Sequence, residues 1–292
     1  MRHRIAATSF QKVSAPKRLT AGPASRLGAY VEMLHLPPIL VVVGAATVIT
    51  ATASYPPQMS DLAMFIAALF VSQLAISVHN DYCDRELDAQ VKPWRALPRG
   101  LVSPAQAVGL VVLLLMSAVA IAAPLGLAIV LLGVVGTGCG LVYNATLKRS
   151  LFVWVPFWIA LPTLAVACFV LADSFSARVL FAYVVGLPLA VSAYLTDTVG
   201  DAALDSDAGV RSLATALGEQ RSRLAAWASL AAAVAVGAMA FGDEGSLPLF
   251  AAPLVLLVMA VTASRRAPRL HWLFMMSGIV SVAGACAIGQ SN

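Results

Sequence analysis

The chain reads as an all-α polytopic membrane protein, a bundle of nine transmembrane helices arranged as two similar halves. Three observations predict this. Of its 292 residues 60% are hydrophobic and only 11% charged, with a mean hydropathy of +0.86, whereas soluble domains carry roughly 25% charged residues. Apolar runs long enough to cross a bilayer follow one another along the chain. An acid-rich pattern at the end of the second run recurs at the end of the sixth. Lipid offers no partner for exposed backbone groups, and the alternation of a β-barrel is absent, so helices are the expected spanning structure.

Taken in order, residues 1–28 form a basic tail that carries Arg2, Arg4, Lys12, Lys17, Arg18 and Arg26, with no acid before Glu32. It reads as a solvated cytoplasmic segment, with an organellar transit peptide as the lesser alternative. Residues 29–292 form a single transmembrane domain. Its spans fall near 29–53, 61–80, 104–122, 125–143, 151–172, 177–197, 222–241, 247–263 and 268–288. Turn signals punctuate them at Tyr55-Pro56-Pro57, Ala123-Pro124, Asp173-Ser174 and Gly242-Asp243-Glu244-Gly245.

Threading these spans alternately across a bilayer places all but one of the 19 Lys and Arg residues on one side, Arg178 being the exception. That asymmetry predicts that the N-terminus and both acidic patterns face the cytoplasm. The net charge of +5 then reflects basic loops facing anionic headgroups, and it implies no nucleic-acid partner. An Ala- and Val-rich composition points to a bacterial plasma membrane. Cys83, Cys139, Cys168 and Cys286 show no metal-ligand spacing and read as small hydrophobes.

The acidic patterns carry the chemistry. Asn80, Asp84 and Asp88 map onto Asp197, Asp201 and Asp205 with one constant offset, and the spacing of four puts each trio on one helical face. Carboxylates that close repel unless a multivalent cation neutralises them. Mg²⁺ prefers oxygen ligands and keeps phosphate oxygens in its shell. An even number of spans separates the two patterns, so both face the same way and can converge on one site. Lys92, Arg95, Lys148, Arg149 and Arg211 follow the acids, where they would oppose phosphate oxygens that the metals leave uncovered. Singly, each also reads as a positive-inside loop residue.

On these residues the chain resembles the UbiA superfamily of intramembrane prenyltransferases. Asn80-Asp81-x-x-Asp84-x-x-x-Asp88 matches its first aspartate-rich motif, and Val91 to Gly100 looks like the basic loop that follows. Asp197-x-x-x-Asp201-x-x-x-Asp205 is similar to the second motif, and Tyr143 with Lys148-Arg149 resembles the element after the fourth helix. The resemblance implies a helical bundle whose motif loops cap a cavity. There Mg²⁺ binds a polyprenyl diphosphate, which departs to leave an allylic cation that a small-molecule acceptor, expected to be aromatic, attacks. It implies metal-holding roles for the six motif residues, a catalytic role for Asp81 and, by position near the cation, for Tyr143, with Tyr194 a further candidate. The chain departs from the family pattern where His35-Leu36-Pro37 replaces Arg or Lys before Pro, where Asp197-Thr198 opens the second motif, and where four residues separate Tyr143 from Lys148.

Two other readings stay open on sequence. A terpene cyclase of the same superfamily would ionise the same diphosphate and let the chain's own double bonds attack. A membrane transporter would also use parallel repeats and intramembrane acids, although here the acids sit at helix ends on one side.

Overall fold

The computed structural model describes residues 23–51, 53, 57–200, 211–243, 245–264 and 267–291. Among the described residues the regular elements are all helices, without strands. The helices are α1 Pro23–Glu32, α2 Leu36–Ala51, α3 Met59–Val91, α4 Pro104–Ala122, α5 Leu127–Val142, α6 Val155–Leu171, α7 Ala182–Thr198, α8 Leu213–Leu217, α9 Glu219–Phe241, α10 Ala251–Ala263 and α11 Pro268–Ser291.

Each expected span overlaps one of these helices, but their lengths differ from the sequence reading. Six stretches, Met59–Gln90, Pro104–Leu125, Leu127–Leu147, Ala177–Thr198, Glu219–Phe241 and Pro268–Gln290, are long and apolar enough to cross a membrane. Leu36–Ala51, Val155–Leu171 and Leu247–Ala263 are shorter apolar helices. The first span is shorter than expected because the chain breaks between α1 and α2, where His35 adopts a left-handed φ of 40° that a helix cannot contain. The expected tail boundary at residue 28 therefore falls inside α1, while residues 1–22 lie outside the described residues. In the other direction, α3 continues past residue 80 through the whole acidic pattern. At 33 residues it extends about 50 Å, against roughly 30 Å of hydrocarbon, so its last turns clear the apolar layer.

Local chemistry explains several ends. Ser103 and Gln106 form a reciprocal capping box that starts α4, with Pro104 in the first turn where its missing N–H costs nothing. Ser212 and Thr215 do the same for α8. Pro162 and Pro188 sit inside α6 and α7, and the Pro162 ring packs so closely on Gly186 that a Cβ there would lie 2.6 Å from its Cγ.

The helices pair as α3 with α4, α5 with α6, α7 with α9 and α10 with α11, and α6 against α7 joins the two groups. One core holds Phe65, Ile129, Ala46 and Cys168 from α2, α3, α5 and α6. A larger one holds Leu195, Leu230, Met275 and Val282 from α7, α9 and α11. Large apolar side chains elsewhere point outward, Met239 at 87% and Leu127 at 72% exposure, as expected of a surface solvated by lipid.

The most consequential packing is between α3 and α5, which run parallel. Phe65 and Ile129 share one core, Ile76 meets Gly140 and Asp84 meets Lys148, all pairs 64 residues apart. The missing side chain of Gly140 permits the approach, since a Cβ would stand 2.6 Å from Ile76 Cδ1. Asn144 Nδ2 also donates to the Ile76 carbonyl at 2.9 Å, fixing the helices axially.

Candidate active site

The first acidic face and the basic pair beyond α5 come together at one end of the bundle. Lys148 Nζ donates to Asn80 Oδ1 at 2.9 Å and to Asp84 Oδ2 at 2.5 Å. Arg149 Nη2 reaches Asp84 Oδ1 at 3.4 Å. A single π-helical turn, Tyr143–Leu147, delivers these two residues, with Lys148 N–H bonded to the Tyr143 carbonyl at 2.9 Å. The wide turn absorbs one extra residue per turn. It sets Lys148 five residues beyond Tyr143 on the side that faces Asp84.

Other predicted site residues form separate groups. Asp88, buried on the same helix, lies 3.9 Å from Lys92 Nζ one turn on. Asp81 turns about 100° away from Asn80 and is 5% exposed. Its Oδ2 is 3.5 Å from Arg95 Nη1 and its Oδ1 3.1 Å from His35 Nε2. Because Arg95 Nη1 donates to that same His35 nitrogen at 2.8 Å, His35 meets Asp81 as a neighbour without donating to it, and Asp81 Oδ1 is left with no hydrogen bond. Arg95 thus engages Asp81 and His35, and Arg211 stands exposed before α8.

From the second pattern, Asp197 is exposed at the end of α7 and accepts from Trp272 Nε1 at 3.3 Å. Asp201 and Asp205 lie outside the described residues. Among the described residues no three His, Cys, Asp or Glu side chains gather as a metal site. Even so, Asn80 and Asp84 already direct two oxygens at one cation, the Lys148 ammonium, and oxygen donors of this kind suit a hard divalent ion.

Tyr143 lies within electrostatic range of acids from both halves. Its phenol interacts electrostatically with Tyr194 and Asp197 of α7 and with Asp84 of α3, and its ring meets Phe157 edge to face at 5.0 Å. Beneath it opens a cavity of about 670 Å³ whose lining on α3 runs from Asn80 to Phe65 and, on α5 and the π turn after it, from Asn144 to Ile129. Fifteen residues of helix make that about 22 Å deep. Two lining polar residues, Gln73 and Thr137, were not singled out by sequence reasoning. Their signal was a pair of hydrogen-bonding side chains inside apolar spans.

The sequence matches the model of the UbiA prenyltransferase family over residues 38–279. The chain belongs to this family. Curated protein sequences give no match. Solved structures show the same fold. One, described for digeranylgeranylglyceryl phosphate synthase in membranes, is 17% identical with a TM-score of 0.73, covering 91% of this chain and 99% of its own. A UbiA homolog from Archaeoglobus fulgidus bound to GPP and Mg²⁺ is also 17% identical, with a TM-score of 0.73 and coverages of 89% and 98%. The apo UbiA homolog from Aeropyrum pernix K1 is 21% identical, with a TM-score of 0.65 and coverages of 84% and 96%. UbiA membership replaces the transport reading with a membrane-embedded prenyltransferase.

Proposed function

We propose that this UbiA member is a Mg²⁺-dependent transferase that moves a prenyl group from a polyprenyl diphosphate to a small aromatic acceptor. The observation that carries the reading is the meeting of Asn80, Asp84 and Lys148 at the mouth of a deep apolar cavity. A diphosphate needs cations and donors, its hydrocarbon tail needs a dry channel, and the two demands are met end to end.

Asn80, Asp84 and Asp88 would hold metal on the α3 side, and Asp197, Asp201 and Asp205 on the α7 side. The bound metal supplies Lewis acidity to the departing diphosphate. Lys148 and Arg149 stand ready to donate to its oxygens once they release Asp84. As the C1–O bond breaks, its electron pair leaves with diphosphate. The acceptor then bonds to C1 and loses a proton. Tyr143 and Phe157 present aromatic faces beside the mouth, suited to a developing cation. Asp81, whose Oδ2 lies 3.5 Å from Arg95 Nη1 and whose Oδ1 makes no hydrogen bond, is the carboxylate we assign to take the acceptor's proton.

The basic-loop asymmetry supports a cytoplasmic mouth and nine crossings, and the composition a bacterial plasma membrane. The homologue seen with GPP and Mg²⁺ supports the substrate and metal assignment by likeness of fold. The test is purified protein in nanodiscs with Mg²⁺ and C10, C15 or C20 prenyl diphosphates, with and without phenolic acceptors, following pyrophosphate and organic products. An acceptor-dependent prenylated product is expected. A cyclic hydrocarbon or alcohol formed without acceptor would establish the cyclase instead, and no diphosphate consumption would overturn both.

A further inference from the structure

The cavity is apolar over most of its depth, and its polar side chains are largely committed elsewhere. Ser72, Ser77, Asn144 and Thr163 each donate to a backbone carbonyl. Gln73 and Thr137 differ. Both line the cavity, both are half-buried, and neither makes a hydrogen bond among the described residues. They share the 64-residue separation of the Asp84 and Lys148 pair, so the parallel register of α3 and α5 sets them at one depth. Gln73 is seven residues from Asn80, which places it on the same face and about 10 Å further in.

An amide and a hydroxyl lining a largely apolar channel lose their water when a ligand fills it and then need a partner within it. A prenyl tail has no hydrogen-bonding atom and would leave both unsatisfied. We infer that Gln73 and Thr137 form the recognition subsite for a hydrogen-bonding substituent on the acceptor, on the far side of its ring from the carbon that attacks. This rests on the transferase reading and names the acceptor class: a planar ring bearing a carbonyl, amide or hydroxyl group opposite its reactive edge. The roughly 10 Å between the Asn80 and Gln73 levels leaves room for one substituted six-membered ring. The Gln73 amide supplies both a donor and an acceptor, and the Thr137 hydroxyl does the same. A site built to pair with such a group discriminates strongly against analogues that lack it.

The test uses full-length protein in nanodiscs with Mg²⁺ and geranyl S-thiolodiphosphate, an analogue that resists ionisation. Two probes of similar size are titrated, 4-hydroxybenzamide and 4-ethylphenol, against wild type, Gln73→Leu, Gln73→Met and Thr137→Val. Wild type is expected to bind the benzamide at least about tenfold more tightly. Both Gln73 variants should lose that preference and Thr137→Val should reduce it, while affinity for Mg²⁺-bound inorganic pyrophosphate, which engages only the mouth, stays within about twofold and reports an intact fold. A preference that persists in the Gln73 and Thr137 variants overturns the subsite, as does wild type that binds both probes equally. Product assays on the same proteins separate the two ideas. Prenyl transfer with unaltered acceptor choice in the variants sinks only the subsite, whereas no transfer and no probe binding by wild type sinks both.

Discussion

Replacing Lys148 by Met removes the ammonium and keeps a side chain of similar length. In the structure that ammonium contacts Asn80 Oδ1 at 2.9 Å and Asp84 Oδ2 at 2.5 Å, with side-chain exposures of 31% for the lysine and 15% for the aspartate. A hydrogen bond to a charged group contributes about 1.5–3 kcal/mol when buried. Partial exposure brings this down to about 1–2 kcal/mol, a factor of roughly 5–30. Before diphosphate arrives, Lys148 therefore competes with any divalent ion for the same two oxygens. We predict that Lys148→Met binds Mn²⁺ roughly 5–30 times more tightly than wild type in the absence of diphosphate, read by the loss of free Mn²⁺ signal in electron paramagnetic resonance. Turnover should move the other way. Losing one donor to the leaving group costs about 10²–10³ in kcat. Unchanged or weaker Mn²⁺ affinity in a folded variant would refute the competition argument, and turnover within tenfold of wild type would refute the leaving-group role.

Asp84→Ala and Asp201→Ala should each abolish turnover while the protein still inserts into membranes, and undiminished activity in either purified variant would remove the metal assignment. Gly140→Val places branched carbons against Ile76, where even a Cβ meets Cδ1 at 2.6 Å. Overpacking of this kind costs about 1–3 kcal/mol, visible as a lowered Tm in detergent, and Ile76→Ala should restore part of it. Asn144→Ala removes the 2.9 Å bond to the Ile76 carbonyl and should lower stability by about 1 kcal/mol. Because it also frees the turn that delivers Lys148, its kcat should fall while metal affinity rises towards that of Lys148→Met.

Much of this fold was legible from apolar runs, because a helix is the least costly way for such a run to satisfy its backbone in lipid. The errors fall where hydropathy stops reporting conformation. The second span ends at Asn80 by hydropathy, yet α3 continues to Val91, since charged residues clear of the hydrocarbon are good helix formers. His35 broke the first span by adopting a backbone conformation that composition does not encode. Within the site, the face shared by Asn80, Asp84 and Asp88 follows from a spacing of four. The expectation that Lys148 belongs to the site rested on a matched motif, while its contact with Asp84 depends on Gly140 letting α5 approach Ile76. The burial of Asp81 beside Arg95 and His35 depends on how α1, α2 and the loop after α3 pack, an arrangement no local pattern records.

The parallel register of α3 and α5 makes the cavity wall a ladder with interchangeable rungs. Its top rung, Asp84 with Lys148, is held by charge, Ile76 with Gly140 by close approach, and Phe65 with Ile129 by burial in a common core. The rung at Gln73 and Thr137 carries none of this mechanical duty. Substitution there can alter what the chamber admits without moving the machinery above, so descendants of this scaffold could diversify in chemistry while inheriting one catalytic head.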